Sequence, residues 1–385
     1  MIDNNLLFFG HTVKSKNNLN LFPSSSFIYK DKISINKEIA NCKILWEKII
    51  EEKLAKVKGR VVVPLSGGLD SRLILAGLLN HISAKEIATY TFGPEKSLDF
   101  KIGNLIAKKI GTNHHAHAIK IGDYSIENEI KWASILKKQI SLFYHPPLEI
   151  VDEFKNDNLW VGFMGDPLAG SHYQPNINTT DEAINLFSSK YGLLNTDKTS
   201  KYGIDINSIK KAIRDSTDFS QNISHFENLD FSIRQSQFIK PHIVYSEDST
   251  LPFTDQRWVN KMLALPSDLR INEKFYREFM VTSYKEIFSY PCKNNHGYSI
   301  ASKNSIFQRV KNKFTKNKLL YSNYINFDKL LKENNSLSNF VKELVFQQNY
   351  IEPNILWKDF MNNELKYEFI LNLASIQINT KLNYK

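Results

Sequence analysis

The sequence predicts an α/β protein, a doubly wound parallel sheet followed by a helical C-terminal region, on three observations. Residues 59–79 read as a strand, a loop of small residues and a helix in immediate succession. Strand and helix patterns then alternate as far as Met164, as parallel sheets with crossover helices require. From Thr180 onward the strand pattern gives way to helices and loops.

In order along the chain, residues 1–36 read as loose strands and turns, with apolar Leu6-Leu7-Phe8-Phe9 and a serine cluster after Pro23 that marks a turn. Residues 39–58 form a helix with Ile44, Leu45, Ile49, Ile50 and Leu54 apolar. Residues 61–65 are apolar and β-branched, as in a strand buried on both faces. After the loop, Leu73, Ile74 and Leu78 have helical spacing. A second strand spans 86–92 and ends at Gly93-Pro94. A helix spans 98–110 and is stopped by Gly111. Residues 114–121 make a third strand, 126–138 a helix and 159–164 a fourth strand, followed by Gly165-Asp166. Leu65, Phe92 and Met164 all end strands, so their loops should share the crevice at the carboxyl edge of the sheet. Asp181 suits a helix N-cap, and residues 327–385 are mostly helical.

Composition excludes several classes. The 385 residues are 42% hydrophobic, enough for sizeable cores, yet no apolar run approaches the ~20 residues of a membrane helix. The apolar stretch near Met1 is too short for a signal peptide, so cytoplasmic residence is the default expectation. Cys42 and Cys292 have neither zinc-ligand nor redox spacing, and a reduced compartment fits. The net charge of +10 comes from lysines spread along the chain. Even residues 309–318, with five positive residues in ten, read as a solvated helix face, so a nucleic-acid partner is not expected. His114, His115 and His117 alternate along a strand with no acid or cysteine near them in sequence, and read as a strand edge.

The loop Ser66-Gly67-Gly68-Leu69-Asp70-Ser71 carries the chemistry. Gly67 and Gly68 have no side chain to block a ligand, and the following helix aims its N-terminus at an anion. It is neither of the two commonest phosphate loops. Asp70 stands where a lysine would be expected, and a carboxylate beside a phosphate implies a divalent cation between them. The segment from Gly162 to Gly170 again sets small residues and one acid, Asp166, at a strand end. Asp70 and Asp166 are thus the candidate Mg²⁺ ligands.

The hexapeptide resembles the pyrophosphate loop of the N-type ATP pyrophosphatases, whose adenine nucleotide α-hydrolase-like fold matches the predicted sheet. The order of further motifs narrows the resemblance to the synthetase domain of asparagine synthetases. These are Tyr90-Thr91-Phe92-Gly93, Ser97-Leu98-Asp99-Phe100, Gly165-Asp166, then Leu251-Pro252-Phe253-Thr254-Asp255 with Leu265-Pro266, then Lys274 with Tyr276-Arg277, and Pro291-Cys292-Lys293. The similarity runs over residues 38–299. It implies a short segment at 1–37, a synthetase domain at 38–310 and a helical extension at 311–385. It also implies that Ser66, Gly67, Gly68 and Ser71 hold the β- and γ-phosphates of ATP, that Gly165 packs beside them, and that Leu65, Phe92 and Gly93 line an adenine pocket. Lys293 and Lys274 would neutralise the α-phosphate and the departing pyrophosphate.

Two departures shape the expected reaction. Glutamine-dependent asparagine synthetases open with a glutaminase domain whose nucleophile is an N-terminal cysteine. Here Ile2 follows Met1, and only about 37 residues precede the resembling region, too few for such a domain. Residues 22–29 are what the resemblance implies as a remnant of its tail. Secondly, the family carries Glu, or Tyr in β-lactam synthetases, three residues before the second-motif Asp. This chain has Phe163, which is neither acid nor base. The expectation is an ATP-dependent, AMP-forming ligase, with a tRNA-modifying, lysidine synthetase-like N-type ATP pyrophosphatase or a non-catalytic nucleotide-binding protein as the alternatives. The ligase adenylates a small-molecule or peptide carboxylate and passes it to ammonia, supplied by a separate glutaminase, or to an amine. His172, just after the Asp166 loop, is a candidate at the acceptor site.

Overall fold

The computed structural model describes residues 3–13, 34–219, 223–302 and 323–382. The expected segment at 22–29, the basic stretch at 309–318 and the boundary at 310/311 lie outside them.

Five strands form one parallel sheet in the order β3-β2-β1-β4-β5. They are β1 (Val61–Pro64), β2 (Ile87–Gly93), β3 (Asn113–Ala118), β4 (Asn158–Trp160) and β5 (Ser249–Thr250). β1 is central and its Val61, Val62 and Val63 are buried, as an apolar β-branched run demands. The chain winds outward from β1 through β2 to β3, then returns to the other side of β1 with β4. That reversal places the topological switch point between β1 and β4, at whose carboxyl ends ligands bind in such sheets. β5 has only two residues and was not legible as a strand.

Helices pack close on this sheet because glycines let them. Helix α1 spans Asn4–Phe9, α2 Ile35–Leu54, α3 Asp70–Leu78 and α4 Leu98–Ile110. Ile39, Cys42, Trp46, Ile49 and Ile50 of α2, three and four apart, form its buried stripe. Gly103 of α4 lies against β2, where an added Cβ would stand 2.4 Å from Thr91 Oγ1 and 2.8 Å from the Leu65 carbonyl. The Thr91 hydroxyl donates to that carbonyl at 2.6 Å, so the contact has no slack.

Several expectations are corrected. Leu6-Leu7-Phe8-Phe9 is helical, not a loose strand. Asp3 accepts from the Asn5 N–H, and Gly10 ends the turn at φ 74°. All four apolar side chains are buried, which is why they lack the one-sided period of a surface helix. Helix α2 begins and ends four residues earlier than read. β4 stops at Trp160 rather than Met164, because Met164 turns to φ 71°. The cap of helix Thr180–Tyr191 is Thr179, in a capping box with Glu182, and Asp181 lies in the first turn. The edge histidines do have acids, one six residues on and two from a later helix. His115 meets Glu153 at 2.8 Å, and His117 meets Asp123 at 3.2 Å and Glu149 at 3.1 Å.

Two apolar cores result. One joins the sheet to α2, α3, α4 and the helices Gln256–Leu263 and Lys274–Ser283. The other gathers α1, helix Thr180–Tyr191 and the C-terminal helices Ser336–Gln347 and Tyr367–Lys381. The C-terminal helices therefore share a core with residues before 310 instead of standing apart. Asn372 ties the ends of the chain by donating to the Leu6 and Leu7 carbonyls at 2.9 and 3.1 Å. No helix among the described residues is long and apolar enough to cross a membrane.

Gly103→Ala gains about 1 kcal/mol of helix propensity but overpacks α4 on β2. The expected net loss is about 1–3 kcal/mol, read as a fall in Tm of about 2–4 °C per kcal/mol. An unchanged Tm would show that α4 does not approach β2 this closely.

Candidate active site

A cavity of about 360 Å³ opens at the carboxyl ends of β1, β2 and β4. Leu65, Ser66, Gly68, Asp70, Ser71, Phe92, Asp166 and Lys293 all line it, from four separated stretches of chain. Gly67, Gly93 and Gly165 are not part of this lining. Lys274 does not reach it. That lysine is exposed at the start of helix Lys274–Ser283, and Tyr276 of the same helix takes the inward position.

Asp70 is the centre of the arrangement. Its Oδ2 accepts from the Asp166 N–H at 3.1 Å, and its Oδ1 accepts from the Tyr276 hydroxyl at 2.9 Å. The carboxyl group lies directly against Gly165, where a Cβ would be 2.4 Å from Asp70 Cγ. Gly162 gives the same relief, at 3.0 Å from Asp70 Cβ. Only glycines allow the β4 loop to close over the aspartate of the β1 loop. Asp166 in turn accepts from the Ser171 hydroxyl at 3.0 Å.

The electrostatics are those of a site short of positive charge. Burial, with Asp166 and Glu273 nearby, pushes the Asp70 carboxyl well above the usual carboxylate range. Burial likewise raises Asp166, against the opposing pull of His172 and Ser171. The His172 Nδ1 is taken by Asp230 at 2.6 Å, and His172 is not part of the cavity lining. Two half-buried carboxylates on neighbouring strand ends, each destabilised as an anion, fit a divalent cation chemically.

Lys293 is held twice against the loop. Its N–H donates to the Gly67 carbonyl at 2.8 Å, and its ammonium meets Asp99 Oδ2 at 2.7 Å. Asp99 Oδ1 accepts the Gly67 N–H at 3.0 Å, so one buried carboxylate joins lysine, loop and α4. Burial raises the Asp99 carboxyl, with Lys293 and the Gly67 N–H opposing. The Gly68 N–H rests on Ser66 Oγ at 3.1 Å. Helix α3 starts without a side-chain cap, and the first N–H groups of any helix lack intrahelical partners. The wall past Phe92 is aromatic. Tyr90 and Tyr245 hydroxyls pair at 2.8 Å, and Tyr324 donates to the Tyr144 carbonyl at 2.7 Å.

Sequence reasoning missed Asp99 as a functional residue, and missed Tyr276, Glu273 and the tyrosine wall. Asp99 had a usable signal, an acid in the first turn of a helix that follows a strand-end loop. Tyr276 lies 206 residues from its partner Asp70, and nothing local announces that contact.

Comparison with known proteins agrees with the loop. Residues 50–131 match the asparagine synthase family model. The stretch covers β1, α3, β2, α4 and β3, and so includes the Ser66–Ser71 loop and Asp99, but neither Asp166 nor Lys293. The chain is similar to the glutamine-hydrolysing asparagine synthetase of Mesocricetus auratus, 32% identical over 80 residues. That match covers 20% of this chain and 14% of the relative, so the chain spans only a small part of that relative's length.

A carboxyl with a raised folded-state pKa stabilises the fold while protonated. That contribution is present below the ordinary value and is lost as pH rises through the folded one. Asp166→Asn removes the charge and keeps an acceptor for Ser171. In chelator its Tm should exceed wild type by about 2–4 °C near pH ~8, and the gain should vanish near pH ~4. Mg²⁺ should raise the wild-type Tm and leave the variant's unmoved. A variant less stable than wild type across the whole pH range would contradict the charge frustration.

Proposed function

We propose that this chain is an ATP-dependent, AMP-forming carbon–nitrogen ligase of the asparagine synthetase type, acting on a carboxylate substrate. The observation that supports it most is the junction of Asp70 with the Asp166 segment across one cavity, at the switch point of the sheet. A phosphate loop alone would suit many nucleotide-binding proteins. A loop bearing an acid in place of the usual lysine, met by a second acid from β4, suits a metal-bound pyrophosphate leaving group.

Each residue then has a physical role. The aromatic wall and Leu65 receive the adenine. The hydroxyls of Ser66 and Ser71 and the open start of α3 receive the β- and γ-phosphates. Asp70 and Asp166 would hold Mg²⁺, which supplies charge neutralisation on the departing pyrophosphate. Lys293, already fixed over the loop by Asp99, carries its positive charge toward the α-phosphate. The carboxylate oxygen attacks the α-phosphorus, the bond to the bridging oxygen breaks, and pyrophosphate leaves with the electron pair. The resulting acyl-adenylate is opened by a nitrogen nucleophile, ammonia or an amine, with AMP as the leaving group. Such chemistry depends on positioning and charge stabilisation more than on acid–base groups. Phe163, buried at 1% exposure, is not part of the cavity lining and takes no role.

The experiment is pyrophosphate release from MgATP across a panel of small-molecule and peptide carboxylates. Asp70→Ala should lower the rate by about 100-fold or more, as should Lys293→Met to within tenfold of that. Equal rates for Asp70→Ala and wild type would remove the loop from the reaction.

A further inference from the structure

Glu273 lines the same cavity but belongs to neither aspartate segment. It is 5% exposed. Arg277 holds its Oε2 with Nη2 at 2.6 Å and Nε at 3.2 Å. Its other oxygen, Oε1, is buried and has no hydrogen-bond partner. Buried acceptors are nearly always paired, so an orphan on a cavity wall points to a missing donor. The backbone gives a second, independent sign. Asn272 and Glu273 lie at φ 55° and 58°, two successive non-glycine residues in the left-handed region. Strain of that kind persists where surrounding structure enforces it, and it clusters at ligand sites.

The donor can be narrowed by chemistry. An ionised phosphate or carboxylate has no hydrogen to donate to Oε1. A third metal ligand is not indicated. Among the described residues no three His, Cys, Asp or Glu side chains gather into a metal-binding group. A donor that carries positive charge satisfies a buried carboxylate oxygen better than a neutral one. The ligase reading, on which this inference rests, brings one such species to the cavity, the nitrogen nucleophile.

We propose that Glu273 is the recognition group for the nitrogen substrate, an ammonium ion or a protonated primary amine, which it binds through Oε1. Arg277 fixes Oε2 and so keeps Oε1 turned to the cavity. The arrangement also selects against neutral amide nitrogen, which brings no charge to the carboxylate. Glutamine at this position would offer its carbonyl to Arg277 and turn an NH₂ donor into the cavity, opposing an N–H ligand.

The test uses the full chain with MgATP and a carboxylate that supports ATP–pyrophosphate exchange in the wild type. Ammonium chloride and hydroxylamine, the latter uncharged near neutral pH, serve as nucleophile probes. Product formation is normalised to exchange in the same preparation, which removes differences in folding. Glu273→Gln should raise the apparent KM for ammonium chloride by about 10-fold or more, with a change for hydroxylamine of less than about threefold. An equal loss for both probes, no change for either, or collapse of exchange itself would overturn the assignment and leave the ligase reading standing. Absence of exchange in the wild type with every carboxylate would overturn both.

Discussion

The hydrogen bond from the Asp166 N–H to the Asp70 carboxylate is the constraint on which the rest depends. It joins the loop after β1 to the loop after β4, 96 residues apart, across the place where the winding of the sheet reverses. To form it, β4 must stop early, Met164 must take a left-handed conformation, and positions 162 and 165 must carry no Cβ. Both carboxylates become half-buried as a result, and burial with like charge nearby disfavours their ionised form. The frustration is concentrated where a cation and a triphosphate would relieve it.

Around that junction the molecule separates its tasks. The sheet and its close-packed helices fix the strand ends. Asp99, from the start of α4, locks Lys293 to the loop and so couples a residue far along the chain to the phosphate site. Tyr90 of β2, with Tyr144, Tyr245 and Tyr324, gives an aromatic wall. Phe92 and Tyr324 pack against the second core, made by the N-terminal helix, helix Thr180–Tyr191 and the C-terminal helices. It completes the fold by burying the apolar faces that the sheet does not cover.

Much of this was legible in sequence. The valines of β1 and the glycines after them announce strand and loop locally. The rule that ligands sit at the carboxyl ends of parallel strands was enough to bring Asp70 and Asp166 together. What escaped has a physical cause in each case. Leu6 to Phe9 are buried all round, so they show no helical period. β5 is too short for any pattern. The acids that hold His115 and His117 come from other segments. Glu273 looked like an ordinary charged residue beside a helix, and only its backbone conformation and its unpaired oxygen set it apart. Lys274, chosen by motif, points outward, since helical geometry gives the inward place two residues later to Tyr276.

The central claim is that two aspartates share one divalent cation beneath the phosphates. The most direct measurement is Mn²⁺ affinity by electron paramagnetic resonance, with a non-hydrolysable ATP analogue, for wild type, Asp70→Asn, Asp166→Asn and the double variant. If one ion bridges both carboxylates, either single substitution should weaken binding nearly as much as the two together, a strongly non-additive cycle. Independent, additive losses, or affinity unaltered by either change, would contradict the account.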